Sequence, residues 1–338
     1  MVPRKKNGEP VPGQQSFLPE MPISRIAPFA IGALLGILFR FLFAKMPGDK
    51  FAVMSAAFVF FVPFATGAIT VYAAERQSRR TWGYYAKAGA GATLLVIVGT
   101  MLILIEGLIC AVIVAPLFAI IGAIGGLAMG AVCRFTDWPK RAAYSFAALP
   151  LVMGLVIPGG SGEPFIGEVT RTIQINASDS LIWQQLLDTR DIQPREVERA
   201  WMFRIGVPLP IAGVTHESPE GLVRTVTMGK KIHFEQVARN WQVKRYVRWQ
   251  YRFADDSFPP HALDDHVKIG GHYFDLIDTE YSITPSGQKS ASLTVHMRYR
   301  VSTQFDWYAN GVAKILMGNF EETILDLYRR RAENAGRA

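Results

Sequence analysis

"VTRTIQINASDSLIWQQLLD" runs from Val169 to Asp188. Its first half alternates: Val169, Arg171, Ile173 and Ile175 fall on one side, and Thr170, Thr172 and Gln174 on the other, the period of a strand. "NASDS" then offers Asn, Ser and Asp as helix caps. "DSLIWQQLLD" places Leu181, Ile182, Gln185 and Leu186 at helical spacing. A strand therefore passes directly into a helix.

Downstream, "REVERAWMFR" reads as a second short helix, ended by the two prolines of "GVPLPIAG". A run of strands follows: "GLVRTVTM", "KIHFEQVAR", "VKRYVRWQYRF", "YFDLIDTEYSI" and "SASLTVHMRYRVS", with "PSGQ" turning between the last two. The chain closes on a long amphipathic pattern, "DWYANGVAKILMGNFEETILDLYRRR". Val312, Ile315, Leu316, Phe320, Ile324 and Leu327 mark its apolar face, and Arg329, Arg330 and Arg331 lie in its last turn, where the helix dipole favours cations.

Upstream the composition is of another kind. Residues 1–25 are polar, basic and rich in Pro and Gly, and are expected to be a disordered tail. Residues 26–158 are expected to form a transmembrane region of four to five helices, at about 26–44, 51–74, 88–106, 108–133 and 142–158. The last is short and carries Pro150. No cleavable signal peptide fits, because the first apolar run begins late and further runs follow. Arg40 is placed to snorkel toward one end of the first span. Glu106 is expected at the hairpin tip between spans three and four. Gly122, Gly126 and Gly130 share one helix face, the spacing that lets helices approach closely within the bundle or in a homo-oligomer.

Charge separates the two parts. Residues 1–160 hold 14 Lys and Arg against 6 Asp and Glu, whereas residues 161–338 hold 22 of each. The net +8 thus belongs to the apolar part, as basic loops on the cytoplasmic side of a bilayer would have it. The C-terminal part has no basic excess with which to displace counterions from a polyanion, so nucleic-acid binding is excluded. With the N-terminus inside, inside segments carry Arg4, Lys5, Lys6, Arg25, Arg76, Arg79, Arg80, Lys87, Arg134, Lys140 and Arg141. The outside loops carry Lys45 and Lys50. Five crossings then put the C-terminal domain outside, in the periplasm of a bacterial inner-membrane protein; four would leave it in the cytoplasm.

The order strand, two short helices, antiparallel strands, long C-terminal helix resembles the helix-grip fold of the START-like superfamily, the SRPBCC group that includes polyketide cyclases. The likeness covers about residues 165–334, within a domain expected to span 163–334. It is carried by "RTIQINASDSLIWQQLLD" and by "GLVRTVTMGKKIHFEQV", which is similar to the group's pattern at Gly221, Arg224, Gly229 and Glu235. The expected fold is therefore an α-helical transmembrane bundle joined to an α+β helix-grip domain, an antiparallel sheet wrapped on a long C-terminal helix.

The resemblance implies a cavity between sheet and helix. Its expected lining is Val247, Trp249, Tyr251, Phe253, Met297 and Tyr299 from the strands, with Arg245 as a polar group among them, and Leu316 and Phe320 from the helix. The plainer alternative is that these side chains fill an ordinary core. Arg224 and Glu235 are a candidate polar pair across neighbouring strands. With His233 they are the residues a cyclase- or dehydratase-like reaction would use. No catalytic residue is assigned, because no nucleophile elbow, phosphate loop or cofactor fingerprint is present.

No metal or cofactor is expected either. "ADDSFPPHALDDHVKIGGHYFD" holds Asp255, Asp256, His261, Asp264, Asp265, His266 and His272, but in a Pro/Gly-rich loop rather than at fixed ligand spacing; it is read as a lid over the cavity mouth, the structural alternative being that Asp264 and His266 cap the loop internally. Cys110 and Cys133 lie in apolar runs and are read as small hydrophobes. The expected function is membrane-tethered binding or transfer of a hydrophobic small molecule, a lipid or isoprenoid-like compound. The alternatives are an interaction or assembly module for the membrane part and, third, an enzyme.

Overall fold

The computed structural model describes residues 22–45, 54–137, 139–157, 163–264, 266–287 and 289–337. Residues 1–21 of the expected tail, residues 51–53 of the second expected span and Asp265 of the loop lie outside these.

The N-terminal half is a helical bundle: α1 (Pro22–Lys45), α2 (Ala57–Glu75, beginning with a π-helical turn at Ala57–Phe61), α3 (Trp82–Leu102), α4 (Leu108–Phe135) and α5 (Pro139–Val156). Among the described residues, four helices are long and apolar enough to cross a membrane: Arg25–Lys45, Ala57–Glu75, Trp82–Leu102 and Leu108–Phe135. The third starts at Trp82, capped by the Thr81 side chain, and stops before the turn that carries Glu106. Helix α5 lies along α2, with Phe146 against Phe64 at one level and Leu151 and Met153 in the cluster around Phe58 at another.

The glycine face of α4 is consumed inside the bundle rather than offered to a second copy. Gly122 lies against Gly67 of α2 and Gly89 of α3, and Gly126 and Gly130 lie against Tyr85; a methyl group at any of these positions would collide. Arg40 does not snorkel. It is buried, and its Nε donates to Glu106 Oε1 at 2.6 Å, so the turn between α3 and α4 is tied to α1 by an ion pair.

The C-terminal half is one antiparallel sheet curled around α9 (Asp306–Ala335). Its strands are β1 (Phe165–Ile175), β2 (Asp188–Thr189), β3 (Pro210–Ser218), β4 (Gly221–Met228), β5 (His233–Ala238), β6 (Trp241–Gln242), β7 (Tyr246–Arg252), β8 (Phe274–Gly287) and β9 (Ser290–Val301). They run in the order β1-β9-β8-β7-β5-β4-β3-β2, with β6 hairpinned onto β7. Helix α6 (Asp179–Leu187) follows β1 with Ser178 as its cap, and α7 (Pro194–Val197) and α8 (Trp201–Arg204) complete the cover beside α9. This is a helix-grip fold.

Arg329, Arg330 and Arg331, expected in the last turn of α9, lie before it, because the helix runs on to Ala335; ion pairs hold them instead of the helix dipole. Buried Asp326 is ringed by Arg199, Arg329 and Arg330, and Arg331 grips Glu196 of α7 through two hydrogen bonds at 2.9 and 2.7 Å. Ile315, expected on the apolar face, points out to solvent, because the face that meets the sheet follows Ala313, Met317 and Ile324 instead.

The two halves interlock at one end of the bundle. Phe305, just before α9, sits in the bundle's own core, edge-on to Phe60. Tyr308 Oη donates to the Ile113 carbonyl at 2.6 Å, and the Ala56 amide donates to Gln304 Oε1 at 2.7 Å.

Candidate functional site

One end of the grip is filled. Trp183 and Leu186 of α6, Val247 and Trp249 of β7, Leu293 and Val295 of β9, and Leu325 and Tyr328 of α9 make one continuous core. Toward the start of α9 the sheet and helix diverge, leaving a cavity of about 270 Å³. Its walls include Tyr251, Thr279 and Met297 of the sheet; Val312, Leu316 and Phe320 of α9; and Ile109, Cys110, Ile113 and Val114 of α4 in the bundle. Met54, which precedes α2, joins them. Leu263, His266, Val267 and Ile269 of the loop between β7 and β8 form a further side, so the loop does cover the space.

The expected lining residues thus divide. Tyr251, Met297, Leu316 and Phe320 face the cavity. Val247 and Trp249 are fully buried in the filled core. Tyr299 is buried against Val169 and Ala313, with its hydroxyl donating to Asn310 at 2.9 Å. Phe253 stacks with Tyr251 in a small cluster around Phe234. Arg245 is exposed: residues 243–245 form the β6–β7 hairpin, with Lys244 at φ 61°, so the strand begins after Arg245 rather than before it.

Arg224 and Glu235 are not a pair. The register sets Arg224 opposite Gln236 and Thr225 opposite Glu235, and a one-residue offset puts two side chains on opposite faces of a sheet. Glu235 points outward to Arg252, and outward-facing His233 lies 3.4 Å from Asp256. Arg224 points inward and is buried in the cavity wall. Its Nη2 donates to Tyr328 Oη at 3.1 Å, while its Nε has no partner, nor does the neighbouring Gln236 Oε1. Among the described residues no carboxylate pairs with this guanidinium. Gly213 makes room for it: a Cβ there would stand 2.5 Å from both Nε and Nη2.

Tyr251 and Tyr281 stand nearby. Burial pushes the Tyr251 phenol up to about 12, although its contact with Thr279 Oγ1 at 2.6 Å works the other way; burial likewise lifts Tyr281. The inner end of the cavity therefore presents a permanent cation and phenols that keep their protons at neutral pH. It is suited to holding an acceptor or an anion, not to removing a proton.

A second polar group stands where loop, bundle and cavity meet. Glu106 of the α3–α4 turn, Cys110 of α4, and Asp264 and His266 of the loop each bring a ligand-type atom within 4.8 Å of the others. Asp264 Oδ1 accepts from the His266 amide at 3.1 Å and lies 2.9 Å from the ring Nδ1, the internal cap that is the alternative reading of these two residues. Burial opposes charge on both, but their mutual hydrogen bond outweighs it, holding the Asp264 carboxyl below its usual range and the His266 imidazole above it. The other contributors come from the bundle: Glu106 lies in the turn just before α4 and Cys110 in the first turn of that helix, so the acid four residues ahead of the cysteine was the available sequence signal.

No family model matches this chain, and no curated protein matches it. Solved structures do. A START superfamily protein from Mycobacterium smegmatis is 14% identical, with 52% of this chain and 99% of that one covered at a TM-score of 0.35. An aromatase/cyclase from a Streptomyces species is 13% identical over 52% and 98%, at 0.33. A truncated norcoclaurine synthase from Thalictrum flavum is 12% identical over 50% and 98%, at 0.27. The likeness concerns the arrangement of strands and helix alone, and the fold assignment rests on the strand order and the gripped helix described above.

Proposed function

We propose that this protein is a membrane-tethered receptor or carrier for a hydrophobic small molecule with an acidic head, a long-chain carboxylate or a lipid of that kind. One observation carries the reading: an apolar cavity whose deep end holds a buried guanidinium that no acid of the described chain neutralises. Burying an unpaired charge costs several kcal/mol, so a protein keeps one where a ligand supplies the counter-charge. The apolar walls would take the chain of the same molecule. Ile109, Ile113 and Val114 of the bundle form part of those walls, which favours a ligand delivered from the bilayer over one arriving from water.

The orientation belongs to the same proposal. Arg76, Arg79, Arg80, Arg134, Lys140 and Arg141 cluster around the α2–α3 and α4–α5 connections, at the end of the bundle away from the α3–α4 turn on which the grip domain sits. The positive-inside rule would set that basic end in the cytoplasm and the grip domain on the far side, with α5 as a fifth crossing. A reporter fused after Ala338 that is active only outside the cytoplasm tests this; activity is the expected result, and a reporter active only inside would reverse the topology.

The binding claim is tested by mass spectrometry of small molecules extracted from the full-length protein purified in mild detergent, beside its Arg224→Met form. An acidic amphiphile enriched in the first and depleted in the second is expected. Enrichment of neutral lipids alone, equal in both, would refute it.

A further inference from the structure

We infer that Glu106, Cys110, Asp264 and His266 form a binding site for a zinc-class divalent metal ion that fastens the loop between β7 and β8 to the membrane bundle. A thiol, an imidazole and two carboxylates are the donor types that zinc takes in four-coordinate sites. They come from two regions far apart in the sequence, and the fold gathers them to within 4.8 Å of one another. A tetrahedral ion held at 2.0–2.3 Å by its donors sets those donors roughly 3.3–3.8 Å apart, so a contraction of about an ångström completes the shell.

Two further observations single this cluster out from an ordinary polar contact. The Asp264 side chain is nine-tenths buried, and its Oδ2 lies against the Gly107 backbone without a well-formed hydrogen bond. A buried carboxylate oxygen without one is costly unless something occupies its lone pairs. The surroundings also balance a metal's charge. Glu106 is held from behind by buried Arg40, which engages Oε1 and leaves Oε2 for a ligand. Two carboxylates and a thiolate together with Arg40 and a divalent ion sum to zero, and outer partners of this kind orient metal ligands.

The consequence for the molecule is mechanical. Cys110 and His266 also line the cavity, so an ion here would lock the loop as one wall of it and fix the grip domain on the α3–α4 turn. With four protein ligands the ion is structural, with no open position for substrate.

The test uses the full-length protein in detergent, stripped of metal and titrated with Co²⁺ as a spectroscopic probe. The expected result is saturation at one ion per chain, with thiolate-to-metal charge-transfer absorption and the intense visible bands of tetrahedral cobalt, all displaced by Zn²⁺. Cys110→Ser removes the charge-transfer absorption, whereas Cys133→Ser, at the opposite end of the bundle, keeps it. His266→Gln weakens binding by more than the roughly 10–100-fold that loss of an outer partner costs, with circular dichroism showing a folded protein. Absence of stoichiometric binding by folded wild-type protein would overturn the site. So would charge-transfer absorption that survives Cys110→Ser or disappears in Cys133→Ser. Neither result bears on the acidic amphiphile, which is read out at Arg224.

Discussion

Trp249 and Tyr251 stand two residues apart on β7, with side chains on the same face of the sheet, and they belong to different parts of the molecule. Trp249 is sealed in the core shared by α6 and the end of α9; Tyr251 looks into the cavity. The alternation that brings both inward is identical. What differs is the partner across the gap: at one end the helix is held down by α6 and by the Glu196–Arg331 bridge, and at the other α9 leans away into the helical bundle through Phe305 and Tyr308. A curled sheet and a straight helix touch along part of their length, and here the bundle occupies the place where a soluble domain would have to close itself. The cavity is a product of the junction between the halves rather than of the grip domain alone.

The widest contrast should come from the filled end. Trp249→Ala is expected to cost about 3–5 kcal/mol, the usual result of emptying a large site in a closed core. Denaturant unfolding of the domain followed by circular dichroism measures this, and a loss under 1 kcal/mol would mean that this end is not closed.

Next comes a group in the helix between the two ends. Glu321 of α9 is buried with neither carboxylate oxygen bonded, and burial pushes its pKa up to about 8. In the unfolded chain it ionises near 4.5, its ordinary value, whereas in the fold it keeps its proton until about 8. Its contribution to stability is therefore fully present below about 4.5 and is lost as pH rises through 8. Glu321→Gln should flatten that part of the profile and stabilise the protein by roughly 2–3 kcal/mol near neutral pH. Thermal unfolding across this range is the check, and parallel profiles for the two proteins would remove Glu321 as the cause.

The open end should respond less. Leu316→Ala widens a space that already exists, so about 0.5–1.5 kcal/mol is expected, against the larger cost at Trp249. Equal losses at the two positions would erase the distinction between filled and open ends. Opposite in sign is Arg224→Met, for which stability should be unchanged or higher by up to about 2 kcal/mol, because a buried charge without an acid partner is a cost to the empty protein. A large loss of stability would instead make Arg224 a structural residue.

How much of this was legible in the chain follows from the range of each interaction. The strand–cap–helix of Val169–Asp188, the strand series, the closing helix and four of the apolar helices are all written in local periodicity, and the structure has them. Tyr251, Met297, Leu316 and Phe320 were legible as inward-facing for the same reason. Period 2 says which way a strand residue points but not what lies opposite, so Trp249 could not be told from Tyr251. Register offset by one residue separates Arg224 from Glu235, and a hairpin at residues 243–245 carries Arg245 out to solvent. The burial of Arg40 against Glu106 depends on how the bundle helices pack, and the contribution of α4 to the cavity and the approach of Cys110 to His266 depend on how the halves dock; no local pattern records either.

The most direct measurement of the central claim compares a long-chain carboxylate with its methyl ester, binding to full-length wild-type protein and to Arg224→Met. The ester keeps the apolar chain and removes the charge. Wild-type protein should prefer the acid by tenfold or more, a difference of about 1.4 kcal/mol, and the variant should bind both alike. Equal affinities in the wild-type protein, or a preference that survives the loss of Arg224, would contradict the assignment of the buried guanidinium as the anchor for an acidic ligand.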